Sequence, residues 1–504
     1  MRASNPFIRV LAVLLLVLVS FQSFAQGNSG RVEFTGEAMV EIADFFEEGR
    51  SELYYFVVDK RSKARTQIFF KDLPDAAFQS GAKVRIKGNS RGKGKGVDVE
   101  SVEIIEAAPD LRGAALSTEG PTTEAAVAAP QTRKVLTLIV DFLDATVATG
   151  TGNTVTPGIV SSQMFNDAKN VQHFYDTASL GTLTIPTDPN SIGKEPIFGP
   201  YTINYNYLVA SGGTCDPYGW ADAALTAWEA DTVGNSARET RADYDSWSLI
   251  VPNYWDYSGR ACTWGGYAGV GCTQCWAFSA DPASILFGVI IHELGHNFGF
   301  GHANSDTDND GQNICGYCDS SDLMGGDREW MKFNAPHADF QGWWDPVSYD
   351  IDTISPSSTE QQFDLIPVDE EDVLWPGLRA VKTARDGSSN YYFSYRQRTG
   401  HYNEVPTPYV SGVNIHWSSS SFYNGYTTNF YRMLEAGQVF EDTGQDLVVW
   451  GVGPALVDDG QGNSTNVFTI KVCNSTCDSL WPPLGLSASG AFPDTISLTW
   501  TDHT

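Results

Sequence analysis

Apolar and polar positions alternate with period two near both ends of the chain. Helical spacing and continuous apolar runs lie between. Near the front, Lys83–Lys87 alternates charged and apolar side chains, and Leu53–Val58, Gln67–Phe70 and Val97–Ile105 are further short strand-like runs between turns bearing Gly and Ser. About five strands in residues 26–106 predict a small β-barrel, OB-like in strand number. Residues 107–132, rich in Ala, Pro and Thr and without period, read as a linker. Beyond it, Val135–Phe142 reads as a buried strand, Val160–Thr177 as an amphipathic helix and Trp247–Val251 as a strand. Ile285–Ile291 reads as a helix sunk in the core. Period two returns at Tyr391–Tyr395, Val413–Trp417, Leu447–Val452 and Val467–Val472, which predicts a β-sandwich over 350–480.

The N-terminus changes the compartment. Arg2 and Arg9 precede the apolar run Val10–Val19, and Ser23-Phe24-Ala25 supplies small residues for cleavage. Residues 1–25 therefore read as a signal peptide, and the protein as secreted and extracellular. The run is shorter than the about 20 residues a spanning helix needs, so no membrane insertion is expected. All eight Cys follow residue 134, and an even count outside the cytoplasm points to disulfides. Cys272-x-x-Cys275 and Cys315-x-x-Cys318 admit a second reading, a four-thiolate zinc site.

The 504 residues carry 61 Asp and Glu against 32 Lys and Arg, a net charge of −29. So acidic a chain repels phosphate backbones, and no nucleic-acid partner is expected. The charge is uneven: residues 26–134 are close to neutral and the excess acid lies beyond them. Eleven basic residues fall between Lys60 and Lys95. A neutral unit with a basic stretch, ahead of an acidic one, suggests an intramolecular prodomain contact made by charge.

The chemistry concentrates in His292-Glu293-Leu294-Gly295-His296-Asn297-Phe298-Gly299-Phe300-Gly301-His302. Positions four apart share one face of a helix, so His292 and His296 can aim two imidazoles at one ion, with Glu293 beside them. Gly299 can take the positive φ that ends a helix, which lets His302 return as a third ligand. Three protein ligands leave an open zinc position for water, the catalytic arrangement. Glu293 would act as general base.

This motif resembles that of the metzincin zinc metallopeptidases. The family also has a methionine turn below its metal, and Asp319–Gly325 places Met324 for that role. Within the metzincins the chain is most similar to the gametolysin family, through His302-Ala303-Asn304-Ser305, Met324-Gly325, Phe333-Asn334-Ala335-Pro336-His337 and Gly342-Trp343. The resemblance implies a multidomain protein. An α+β metzincin catalytic domain at 133–349 follows the barrel and precedes the sandwich. It implies a zinc endopeptidase acting on protein or peptide substrates, extracellular or cell-wall proteins among them; the near-neutral barrel, the linker and the basic segment suggest that it is made as a zymogen. Two features depart from relatives. Gly326 stands where some metzincins carry a metal-reaching Tyr, and no Cys lies in 26–134 to serve as a cysteine switch.

Other residues are less decisive. Asp306, Asp308 and Asp310-Gly311 begin like a calcium loop, but its twelfth position is Tyr317 rather than Glu. A calcium site and a solvated acidic turn both fit. His337, after the methionine turn, is the candidate to line the substrate pocket. The segment 481–504 resembles the start of a fibronectin type III domain, with Trp500 as its first core Trp and the rest expected beyond the chain's end. The competing functions are an adhesin or matrix-binding protein on a degenerate peptidase scaffold, and a zinc hydrolase of another amide. An intact Glu293 argues against the adhesin, because a binder needs no general base.

Overall fold

The computed structural model describes residues 30–501 apart from 73, 75–76, 110–130, 148–153, 254–255, 281–285, 313, 327–329, 345–349, 372–376, 420–424, 459–463, 478–483 and 492–494. The signal peptide expected at 1–25, most of the linker expected at 107–132, and His503 lie outside the described residues.

The front unit holds five strands: β1 (Arg31–Phe45), β2 (Arg50–Val58), β3 (Arg65–Phe69), β4 (Lys83–Ser90) and β5 (Val97–Glu106). β1 pairs with both β2 and β4, β2 with β3, and β5 with β3 and β4, so the pairings form a closed ring. Alternation puts Ala38, Val40 and Ile42 inside with Ile68, Val84, Ile86 and Val97. Part of the basic stretch is paired within this unit. Lys60 reaches Glu37 and Lys83 reaches Glu106, each at 2.5 Å; Arg85 pairs with Glu103, and Arg91 reaches Asp98 at 2.5 Å. Contact with the rest of the chain includes a β-ladder, β1 with β11, and Arg65 of the basic stretch over Tyr218 and Trp276.

That ladder joins two units into one ten-stranded sheet. β6 (Gln131–Thr132) and β8 (Leu183–Thr184) form a small parallel pair. β7 (Val135–Asp141), β9 (Ile197–Thr202), β10 (Ser246–Ile250), β11 (Gly266–Gly269) and β12 (Cys275–Ser279) continue the large sheet. Its order beyond β1 is β11, β12, β10, β7, β9. β11 is antiparallel to β1 and β12; the other pairings are parallel. β7 and β10 are buried throughout, as parallel strands covered on both faces must be. Leu136 and Leu138 pack with Trp220 and Trp228 of helix Pro217–Ala230. Val135 and Ile139 face the other way, toward Ile290 and Leu294 of helix Leu286–Asn297.

The helix expected over Val160–Thr177 is broken. Helical turns cover Pro157–Asn166, and a separate helix runs Val171–Ala178. The side chain of Asn170 accepts from His173 N at 2.7 Å and caps the second helix. The Asn166–Asn170 stretch thus starts a new helix where period alone suggested continuity.

β13 (Phe300–Ser305) follows the buried helix. β14 (Ile351–Thr353), β15 (Gln361–Leu365), β16 (Ala380–Ala384), β17 (Ser389–Tyr395), β18 (Val413–Ser419), β19 (Tyr426–Leu434), β20 (Val439–Asp442), β21 (Leu447–Asp458) and β22 (Ser464–Cys473) complete the acidic part. One sheet has the order β13-β19-β18-β17-β16-β14 and another β15-β22-β21-β20. Phe393 and Ile415 of the first share a core with Phe440, Val449 and Ile470 of the second. Because β13 pairs with β19, a ladder crosses the boundary expected between 349 and 350. β23 (Leu484–Ala491) and β24 (Thr495–Thr501) form an antiparallel hairpin.

Cys215–Cys262, Cys272–Cys275 and Cys315–Cys318 are bonded pairs. Each C-x-x-C closes on itself, so the four-thiolate zinc reading is not the arrangement found. Among the described residues no helix is long and apolar enough to cross a membrane.

Candidate metal centre

Helix Leu286–Asn297 is buried along nearly its whole length, and His292, Glu293 and His296 have no exposed surface. Asn297 anchors its C-terminal end to the sheet, donating from Nδ2 to the carbonyls of Gly269 (2.9 Å) and Trp276 (3.1 Å). Gly299 then takes φ +98°, and its N–H donates to the His296 carbonyl at 2.8 Å. This is the reversal the spacing required. It delivers His302 on β13 with ring centroids 5.5 Å from His292 and 5.0 Å from His296.

The backbone sets the orientation of two of the rings. His292 Nδ1 lies 2.9 Å from the Leu323 carbonyl, and His296 Nδ1 lies 2.8 Å from that of Phe300. A carbonyl only accepts, so each Nδ1 carries a proton and each Nε2 is the nitrogen aimed inward. His302 Nδ1 lies 3.4 Å from Ser51 Oγ. Burial lowers the pKa of His292 and pushes that of His302 down to about 4, against the pull of Asp44, which favours the neutral ligand form.

Met324 is fully buried below the helix. A β-carbon on Gly295 would stand 2.7 Å from its sulfur, so the glycine lets the turn approach the ligands. Leu323, which orients His292, belongs to the same turn. The turn is braced by buried carboxylates. Asp322 Oδ1 accepts from Met324 N at 2.6 Å, and Asp319 Oδ1 accepts from Ser321 N (3.0 Å) and Oγ (2.6 Å).

At the convergence of the three imidazoles sits Asp44 of β1, itself fully buried. Its Oδ2 is 3.4 Å from His292 Nε2 and 3.0 Å from His296 Nε2, and its Oδ1 is 3.1 Å from His302 Nε2. Inward Nε2 atoms and carboxylate oxygens gathered this closely can share one cation between them. Three imidazoles and one carboxylate are a donor set that suits zinc. The residues present therefore fit such an ion.

Two more residues complete the centre. Glu293 lies against β11: a β-carbon on Gly266 would stand 1.7 Å from its Oε1. The Tyr317 hydroxyl donates to Asp44 Oδ1, and its ring lies 3.9 Å from that of His302.

Neither Asp44 nor Tyr317 stood out in the sequence, yet each left a trace. Asp44 keeps the inward parity of Val40 and Ile42, an acid where a small β unit wants an apolar side chain. Tyr317 is the residue that spoils the calcium loop, and it is turned toward the metal centre instead.

The other candidates are placed as follows. Asp306, Asp308 and Asp310 come together closely enough to share one ion. Asp306 is buried, and its Oδ2 accepts from Gly311 N (3.0 Å) and Trp417 Nε1 (3.1 Å). His337 is corrected. It is fully buried, with Nδ1 2.9 Å from Asp322 Oδ2 and Nε2 2.8 Å from the Tyr426 carbonyl. Both ring nitrogens are committed to internal acceptors, so it braces the methionine turn and does not line a pocket. His416 Nε2 faces Asp319 Oδ2 at 2.9 Å, and His401 Nδ1 faces Glu371 Oε2 at 3.0 Å, with His173 nearby.

No curated protein matches the chain. A solved structure of catalytically inactive OgpA from Akkermansia muciniphila, in complex with an O-glycopeptide (glycodrosocin) substrate, is similar at 10% identity. The match covers 60% of this chain and 94% of that one, with a TM-score of 0.26. A profile of the gametolysin peptidase M11 family matches residues 134–441, well over half of the chain and the stretch that carries all three histidines and Met324. On that match the chain belongs to the gametolysin peptidase M11 family, a family of zinc metalloendopeptidases.

Proposed function

We propose that the protein is a secreted zinc endopeptidase, made with residues 26–106 as a propeptide and acting on extracellular or cell-wall proteins. The convergence of three imidazoles beside Glu293, next to β11, whose free edge would be exposed once β1 is removed, carries this reading. His292, His296 and His302 would hold the zinc. When bound, that ion supplies Lewis acidity, bringing the pKa of water to about 7 and polarising a carbonyl.

The chain's own residues do the rest. The substrate backbone pairs with β11, adding a strand in extended form. Glu293, held in place beside Gly266, takes a proton from the attacking water and delivers it to the leaving amine. The Tyr317 hydroxyl donates a hydrogen bond to the oxygen that gains charge at the scissile carbonyl. The apolar run at 10–19 and the three disulfides support export. The reading extends to calcium at Asp306, Asp308 and Asp310, supported by their proximity and the burial of Asp306.

The test is hydrolysis of casein by the chain freed of residues 26–132. Activity is expected with zinc, lost to a chelator, restored by added zinc, and lost in Glu293→Ala. A zinc-loaded, folded wild type that leaves casein intact would sink the reading.

A further inference from the structure

We propose that in the full-length chain Asp44 is itself the fourth metal ligand, and that β1 occupies the substrate strand's place on β11. The inference rests on the zinc-peptidase reading and adds the means by which that site is kept closed.

Ligand count comes first. A catalytic zinc keeps one position open for water, whereas four protein ligands close the shell. The three imidazoles leave one position, and both oxygens of Asp44 lie between their Nε2 atoms at 3.0–3.4 Å. Asp44 has no exposed surface, and a buried carboxylate needs a strong compensating partner. A cation held among the three Nε2 atoms is that partner, beside the hydrogen bond from the Tyr317 hydroxyl.

The backbone gives an independent line. β1 pairs antiparallel with β11 in the register Glu41↔Gly269, Ile42↔Ala268, Ala43↔Tyr267, Asp44↔Gly266. The pair Asp44↔Gly266 is level with Glu293, because Gly266 is the residue against which Glu293 lies. A peptide substrate adding to the same edge would place its scissile residue there. The chain then turns away. Phe46 packs edge-on against His292 at 5.1 Å, a short helical turn covers Phe46–Glu48, and Gly49 at φ +58° reverses into β2. The cleft thus holds a strand that arrives like substrate but presents a carboxylate side chain to the metal and a hairpin turn where a substrate would continue.

A second contact holds β1 in place from its other face. Glu41 is buried, accepts from the Tyr267 hydroxyl and pairs with Arg65 at 2.5 Å. Arg65 stacks over Tyr218 (4.7 Å) and Trp276 (5.3 Å). Closure is therefore built by the whole front unit, and Asp44 is its tip.

The experiment uses the full-length chain with cobalt(II) in place of zinc, read by visible absorption. A small peptide hydroxamate is expected to leave the wild-type spectrum unchanged at concentrations that shift it in Asp44→Ala. Its apparent affinity should rise at least about tenfold, as follows when the open form is a minor population. Asp44→Cys should add a thiolate-to-cobalt charge-transfer band in the near ultraviolet, a signature that survives if Asp44→Ala folds poorly. Equal hydroxamate affinity in wild type and Asp44→Ala, or no such band in a folded, cobalt-loaded Asp44→Cys protein, overturns the inference. Failure of the underlying reading looks different: neither wild type nor Asp44→Ala would take up one equivalent of cobalt, or His296→Ala would take it up equally well.

Discussion

Gly266 and Glu293 are in direct contact across the cleft floor: a β-carbon on the glycine would stand 1.7 Å from the glutamate's Oε1 and 2.4 Å from its carboxyl carbon. The proposed general base is thus seated by the absence of a side chain on a neighbouring strand. Helix geometry alone would leave the Glu293 carboxylate several rotamers. Packing against β11 restricts it beside the metal ligands, at the strand proposed to pair with substrate.

Gly266→Ala should therefore damage catalysis more than folding. The atoms that must yield belong to the far end of Glu293. Displacement of a catalytic group by about 1 Å costs on the order of 10²-fold in rate. The expected outcome, in the enzyme freed of residues 26–132, is a fall of about that size in kcat with zinc content unchanged. A kcat within about threefold of wild type would show that Glu293 has room to spare.

Tyr317 offers a donor where the family resemblance had suggested none, since Gly326 occupies the usual position. Its hydroxyl bonds Asp44 in the closed protein. Once Asp44 leaves, the same hydroxyl points at the place a carbonyl oxygen would take. Tyr317→Phe should lower kcat by about 10²-fold, the usual effect of removing one oxyanion donor, with little change in KM. Zinc content and melting temperature should stay close to wild type. A change confined to KM would assign Tyr317 to substrate packing.

These two residues mark what the sequence could and could not show. The His292–His302 spacing is legible because helix pitch and one glycine turn determine which residues can meet. Met324 was legible through the motif around it. Asp44 was not, because its partners lie some 250 residues away and only the β1–β11 register brings them together. The basic stretch was only partly legible. Several of its charges have acidic partners on neighbouring strands, such as Glu37, Glu103 and Asp98, and a segment count of charge cannot see pairing. At the 349/350 boundary, β13 and β19 join the two sides by a long-range ladder with no local signal.

The charge pairing leads to a prediction on latency. If Asp44 and the β1–β11 ladder close the site, ionic strength should matter little. Surface pairs are screened by salt, whereas buried contacts such as Glu41 with Arg65 are screened far less. The full-length chain, assayed on casein between about 0.05 and about 1 M NaCl, should stay equally latent across the range. Activity that emerges steeply with salt would return the basic face to the leading role.

The last prediction concerns the brace of the methionine turn. Asp319 is fully buried, accepts from Ser321, and faces His416 at 2.9 Å. Burial alone would raise its pKa, but the His416 charge and the hydrogen bonds outweigh burial and hold it below the ordinary 3.8. A carboxylate with a depressed folded pKa stabilises the fold fully above its unfolded pKa. That contribution is lost as pH falls through the lower folded value. The wild type should therefore lose stability as pH falls below about 3.8, with Asp319 contributing to the slope. Asp319→Asn removes one partner of a buried pair and should cost about 3 kcal/mol at pH 7. The same variant should show a shallower acid limb, because one proton fewer is taken up on unfolding. Denaturant unfolding of both proteins from pH 7 to pH 3 measures both effects. Parallel acid limbs would mean that Asp319 is not ionised in the native turn, and that His416 is held there by packing.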